Sequence, residues 1–207
     1  MNARSGNHLF VLAAPSGAGK TTLVKQLVNR RPDLRFSVSY TTRRQRSTET
    51  HGVDYFFVDL DEFERLERSG ELLESAQVFD NRYGTSRSQV QAHLDAGHDV
   101  ILEIDWQGAR QVRRSMPDSV SVFILPPSRR ELERRLRGRR TDSEQVIRRR
   151  LRDALSDMSH WNEFDYCIVN DDLDRAVTEL EAILDGEGAE NRCDSPEMMA
   201  RVEKILV

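Results

Sequence analysis

Apolar and polar positions follow two different periods along this chain. From His8 to Ala14 (H-L-F-V-L-A-A) the run is almost wholly apolar, the pattern of a short strand buried on both faces. A glycine-bearing turn follows. From Lys20 to Arg31 the apolar residues Leu23, Leu27 and Val28 recur at helical spacing. Asp59 to Ser69 repeats that spacing through Phe63 and Leu66, with Gly70 placed as a C-terminal cap. Ser86 to Ala96 does so through Val90 and Leu94 and ends at Gly97. Val100 to Asp105 (V-I-L-E-I-D) and Val120 to Leu125 (V-S-V-F-I-L) read as further strands, the second stopped by Pro126 and Pro127. Two arginine-rich helical stretches come next, divided near Gly138 to Ser143. Asp165 to Asn170 (D-Y-C-I-V-N) predicts a last core strand, and Leu173 to Leu184 a helix behind it.

Strands alternating with long helices predict an α/β fold around a mainly parallel sheet. The stretch from Phe36 to Asp80 departs from this rhythm. Its short extended pieces, S-V-S-Y, Y-F-F-V and the run from Glu71 to Asp80, predict a small mixed insertion. Beyond Gly186 the chain is polar until Ser195-Pro196, a helix start. Met198, Val202, Ile205 and Leu206 then share one face, suited either to docking on the same domain or to contact between copies.

Composition narrows the class. A chain of 207 residues predicts one domain with appendages, and 38% hydrophobic with 32% charged residues describes a folded chain with a charged surface. No apolar run reaches the ~20 residues of a membrane span. Met1 to Asn7 lacks a signal peptide's apolar core, so a cytoplasmic protein without a membrane partner is expected. Of two cysteines, Cys167 lies in an apolar run and reads as buried. Cys193 lies in a polar tail and reads as exposed, which argues against a disulfide framework. The net charge is −4, yet charge is unevenly spread. Residues 129–152 hold 11 Arg against 4 acids, whereas residues 171–207 hold 11 acids against 4 bases. A basic segment inside an acidic chain predicts a local anion site better than a nucleic-acid surface.

The strongest chemical signal is Ala14-Pro-Ser-Gly-Ala-Gly-Lys-Thr21, set between the first strand and the first helix. It fits the phosphate-loop template G-x-x-x-x-G-K-S/T except that Ala14 replaces the first glycine. Gly17 and Gly19 allow positive φ, so successive amides can point at phosphate oxygens. The following helix aims its positive end at the same place. Lys20 would bridge the outer phosphates, and the Thr21 hydroxyl would join a Mg²⁺ shell. Asp105, closing an apolar strand, is a candidate for facing metal or acceptor, with Glu103 on the same sheet face as a second. Ser37-Val-Ser-Tyr-Thr-Thr-Arg-Arg-Gln-Arg46 gathers arginine forks and hydroxyls suited to a second phosphate.

With these segments together, the chain resembles the bacterial guanylate kinases from Leu9 to about Leu184. The match rests on A-P-S-G-A-G-K-T, S-V-S-Y-T-T-R, H-G-V-D-Y-F-F-V, Y-G-T, I-D-W-Q-G, L-R-G-R-R-T and I-V-N-D-D-L, in that order. The resemblance implies a P-loop NTPase-like core with a parallel sheet flanked by helices, a mixed α/β monophosphate-binding insertion and a helical lid. The core would comprise 8–35, 96–137 and 160–185, the insertion about 36–95, the lid about 138–159 and the tail 186–207. It implies Mg²⁺-dependent transfer of the ATP γ-phosphate to GMP, giving ADP and GDP in purine nucleotide metabolism. ATP would be held by Ala14, Pro15, Ser16, Gly17, Ala18, Gly19, Lys20, Thr21 and Thr22, with Asn170 near the adenine. Arg43, Arg46, Tyr55 and Tyr83 match ligands of the GMP phosphate. Ser39, Glu74 and Thr85 match residues that read guanine, and Asp105 matches an acid near acceptor and metal, reaching Mg²⁺ through water. Lys20, Arg46, Arg135, Arg139 and Arg150 match the cations around the transferring phosphate.

Three positions depart from the family pattern. Arg140 stands where glycine is usual in the lid turn, and Phe79 and Asp80 differ before the Y-G-T turn. Two rivals belong to other classes. Guanylate-kinase-like modules of scaffold proteins bind phosphorylated peptides but typically carry a degraded phosphate loop, and an RNA-binding protein would use the arginine stretch. The tail leaves a homo-oligomer open.

Overall fold

In a computed structural model the described residues are 7–78, 80–138 and 143–206. The first apolar run becomes β1 (Leu9–Ala13), every residue of which is buried. After the loop come α1 (Lys20–Arg30), β2 (Leu34–Phe36), β3 (Tyr40–Thr41) and β4 (Phe56–Phe57). Then follow α2 (Leu60–Arg68), β5 (Leu72–Val78), β6 (Asn81–Ser86), α3 (Arg87–Asp95) and β7 (Asp99–Glu103). The remainder is α4 (Trp106–Ser115), β8 (Val120–Leu125), α5 (Arg129–Gly138), α6 (Glu144–Met158), β9 (Tyr166–Val169), α7 (Leu173–Leu184) and α8 (Pro196–Leu206). The fold is α/β, a parallel sheet flanked by helices.

Two compact units divide the described residues: 12–31, 121–138 and 143–206 form the first, and 7–11, 32–78 and 80–120 the second. In the first unit the end of β1 neighbours β8, and β8 pairs in parallel with β9 from Val122↔Tyr166 to Leu125↔Val169. All residues of β8 and β9 are buried, as strands covered on both faces must be. In α7 the face formed by Ala176, Val177, Leu180, Ile183 and Leu184 is buried. In α8 Met198, Val202 and Ile205 are buried as well, so the tail helix spends its apolar face on its own unit.

In the second unit β2 pairs in parallel with β7, and β1 begins beside β7. A separate four-stranded sheet runs β4-β3-β6-β5, with β3 parallel to β4 and β6 antiparallel to both β3 and β5. Phe63, Leu66 and Leu72 form its small core, with Tyr40 and Val58 packed against them. The helix ends follow the sequence signals. Asp59 caps α2 by accepting from the Glu62 N–H and Ser86 caps α3 by accepting from Gln89, with Gly70 and Gly97 at positive φ beyond their ends.

Several expectations are corrected. The strand at Val100 ends at Glu103, so Asp105 does not close it; its carboxylate instead caps α4 by accepting from the Gly108 N–H at 2.8 Å. Helix α4 and strands β2 and β6 had no periodic signal. Cys193 is buried, 6% exposed, because its N–H bonds the Asp165 carbonyl at 3.0 Å and carries it against β9. Its thiol donates to the Trp161 carbonyl. Both cysteines are free. Phe79, Arg139 and Arg140 lie outside the described residues.

Candidate functional site

In the first unit, β1 delivers the chain into the loop Ala14–Gly19 and α1 leaves it. Gly17 and Gly19 have φ of 94° and 95°, a region that side chains resist. Space also demands glycine at both. A Cβ on Gly17 would come within 3.0 Å of Leu132 and Leu136, and one on Gly19 would collide with the Asn170 amide. Because Gly19 is the N-cap, no side chain caps α1, and its first-turn donors face the loop. A positive helix end behind backbone amides is a ready anion cradle.

The loop is braced from behind. Asn170, 5% exposed, donates its side-chain N–H to the Ala18 carbonyl at 2.7 Å. Arg135 of α5 donates to the same carbonyl at 3.1 Å, to the Asn170 carbonyl at 2.9 Å and to Glu131 at 2.8 Å. Arg134 and Arg135 together hold the Glu131 carboxyl down to about 2. Lys20 is half-buried, Thr21 and Thr22 are exposed, and Arg150 is half-buried on α6. The structure therefore brings Arg135, Asn170 and the loop together.

In the second unit two groups form. Around one, the Arg43 guanidinium lies 5.3 Å from the Tyr55 ring centroid and forks onto Glu49 at 2.7 and 3.1 Å. Tyr83 meets Tyr55 edge-on at 5.9 Å between centroids. The Arg46 N–H donates to Glu49 at 2.8 Å. Burial pulls the Arg43 guanidinium down, but its bond to Glu49 and the pull of Tyr83 leave it raised. Burial pushes the Glu49 carboxyl up, yet Arg43 and the Arg46 N–H outweigh this and hold it below the usual range. Burial, then the Glu103 charge, push the Tyr55 phenol up to about 12, so it stays a neutral hydrogen-bond donor. Two arginines and two phenols at one place suit a phosphate dianion.

The other group centres on Glu74 of β5, 3% exposed. Its Oε1 accepts from the Thr85 hydroxyl of β6 at 2.7 Å, the two being register partners. The β5 ladder shifts register between Leu72 and Glu74. Asp105 carries Gln107 on its Oδ2 at 3.1 Å beside the Gly108 bond on Oδ1. Ser39 is buried just before β3, its carbonyl accepting from Phe56.

A family model described as guanylate kinase matches residues 6–187. The chain belongs to the guanylate kinase family. It is 59% identical over 175 residues to the guanylate kinase of Alkalilimnicola ehrlichii, covering 84% of this chain and 86% of that one. With the guanylate kinase of Methylococcus capsulatus it shares 53% over 198 residues, covering 96% and 97%. A crystal structure of guanylate kinase from Anaplasma phagocytophilum superposes with a TM-score of 0.75 at 35% identity, covering 98% of this chain and 96% of that one. Family membership makes the chain a kinase.

Glu49 and Gln111 lie outside the segments singled out in the sequence, and Gly108 stands in I-D-W-Q-G without a role read for it. An acid three positions after Arg46 was the available signal for Glu49. Gly108 inside a helix was the signal for a close approach.

Proposed function

We propose that this guanylate kinase transfers the γ-phosphate of ATP to GMP with Mg²⁺, serving purine nucleotide metabolism in the cytoplasm. Two buried, free thiols fit a reducing compartment. The Ala14–Thr22 segment would hold the ATP phosphates, with Lys20 at the outer ones and Asn170 toward the adenine. Arg43, Arg46, Tyr55 and Tyr83 would hold the GMP phosphate, and Ser39, Glu74 and Thr85 the guanine. Phosphoryl transfer asks mainly for position and neutralised oxygen charge, which Lys20, Arg46, Arg135, Arg139 and Arg150 would supply. A lid of about 138–159 closing over the phosphates would keep water from the γ-phosphate.

Among the described residues no group of three or more His, Cys, Asp or Glu is gathered for a metal. Mg²⁺ needs none, since it is held by one or two protein oxygens together with phosphates and water. The Thr21 hydroxyl and the Asp105 carboxylate are hard oxygens that fit it, the latter through water. When bound, Mg²⁺ neutralises phosphate-oxygen charge.

The observation that carries guanine as the base is the buried Glu74 carboxylate. Guanine offers N1–H and N2–H₂ donors to it, whereas adenine would set an N1 lone pair against it. A charged hydrogen bond left unmade costs about 1.5–3 kcal/mol. Steady-state kinetics with GMP, AMP and UMP test this. Glu74→Ala should lower kcat/KM for GMP at least ~10-fold with the ATP KM nearly unchanged. Equal use of AMP by the wild type, or an unaffected variant, would remove guanine from the reading.

A further inference from the structure

Helix α4 makes an unusually close approach to β5, and it does so at Glu74. Gly108 stands in the first turn of α4, where glycine weakens a helix relative to alanine. Its presence has a spatial cause: a Cβ there would collide with Glu74 Oε2 and come within 3.0 Å of Glu74 Cδ. The carboxylate thus lies against the bare backbone of the first turn, beside the Asp105 carboxylate that caps it. The positive helix end favours negative charge at that place.

One turn further along the same face, Gln111 reaches the β5 backbone beside Glu74. Its Oε1 accepts from the Ser75 N–H at 3.1 Å, and its Nε2 donates to the Ser75 carbonyl at 2.6 Å. A side-chain amide that satisfies both backbone groups of one strand residue acts as a short piece of neighbouring strand. The β5 ladder has shifted register just before this point, so pairing with β6 alone leaves the Glu74 position less firmly defined. On the opposite side Thr85 fixes Oε1. Glu74 is therefore bonded by Thr85 at one oxygen, given room at the other by the missing side chain of Gly108, and followed in the strand by Ser75, whose backbone Gln111 clamps.

We infer that Gly108 and Gln111 are positioning residues for base recognition, setting from α4 the place and direction of the Glu74 carboxylate. This rests on the reading of Glu74 as the guanine acceptor. Neither residue touches the base in this scheme; each acts through Glu74.

A double-mutant cycle on the full chain tests it, with GMP and ATP kinetics and a thermal melt for every variant. Gly108→Ala should raise the GMP KM at least ~10-fold with the ATP KM unchanged. In an E74A background the same change should add little, because the group it displaces is gone. Gln111→Ala should behave likewise, and Gln111→Glu, which sets a charged oxygen against the Ser75 carbonyl, should be impaired at least as much. Should G108A fail to fold, the Gln111 pair decides by the same cycle. A wild-type GMP KM in the variant measured, or effects that multiply in full with that of E74A, would overturn the inference. A GMP KM unmoved by E74A alone would instead remove the guanine reading beneath it.

Discussion

The Asn170 side-chain amide donates to the Ala18 carbonyl at 2.7 Å, and it fills the space into which a side chain at position 19 would project. Residues far apart in sequence thus fix one loop conformation, by a hydrogen bond and by excluded volume. Asn170→Ala removes the donor and opens a gap beside Gly19. Loss of a buried hydrogen bond costs about 1–3 kcal/mol, so the melting temperature should fall by several degrees. The ATP KM should rise while the GMP KM stays level, which calorimetry and steady-state kinetics together will read.

Lys20→Ala should leave the fold intact, since a half-buried lysine head at a loop contributes little to the core. Turnover should drop by roughly 10² or more, because a charge directed at the transferring phosphate is lost. Circular dichroism with a coupled assay checks both halves; near wild-type turnover in a folded variant would mean that the loop does not hold the reacting phosphates.

Glu49 carries a pH signature. Burial pushes its carboxyl up, but Arg43 and the Arg46 N–H outweigh this and hold it below the usual carboxylate range. A depressed folded value means that the ion pair contributes stability above about pH 4.5, and that this contribution is lost as pH falls through the lowered value. Glu49→Gln should therefore be less stable than wild type at pH 7, and the gap should close on acidification. Urea melts from pH 3 to 7 will show it. The GMP KM should also rise in this variant, because Arg43 loses the partner that orients it.

Cys167 and Cys193 are both buried, and the Cys167 thiol is raised by its bond to Cys193 and by burial. Neither should react with a thiol-specific reagent on the time scale of mixing in the native protein, and both should react at once in denaturant. Rapid native labelling of one thiol would contradict the position of Cys193 against β9.

Long elements with a clear period were legible in sequence. Leu173–Leu184 is a helix at the predicted bounds, because its apolar residues recur regularly and Asp172 caps it. β6 was not legible: Asn81-Arg-Tyr-Gly-Thr-Ser86 has no alternation and reads as a turn. It is a strand because β3 and β5 pair with it, and Gly84 is there because a Cβ would meet Leu72, Phe63 and the Glu74 carbonyl. α4 hid for a related reason, since its buried face is Gly108, Ala109 and Val112, too small to show as a stripe. The phosphate loop was legible because glycine, lysine and threonine at fixed spacing have few other uses. Glu49 was not, since a carboxylate among arginines carries no period and only the folded loop shows what it holds.

The tail has one more consequence. β9 ends the order of its sheet, and Arg192 bridges it antiparallel at Tyr166 while Cys193 bonds the Asp165 carbonyl and Asn191 the Cys167 carbonyl. These residues lie past position 187, where the family match stops. They shield a row of strand amides and carbonyls that would otherwise invite another chain to pair. The tail thus completes the sheet at this border, giving β9 backbone partners on its outer side.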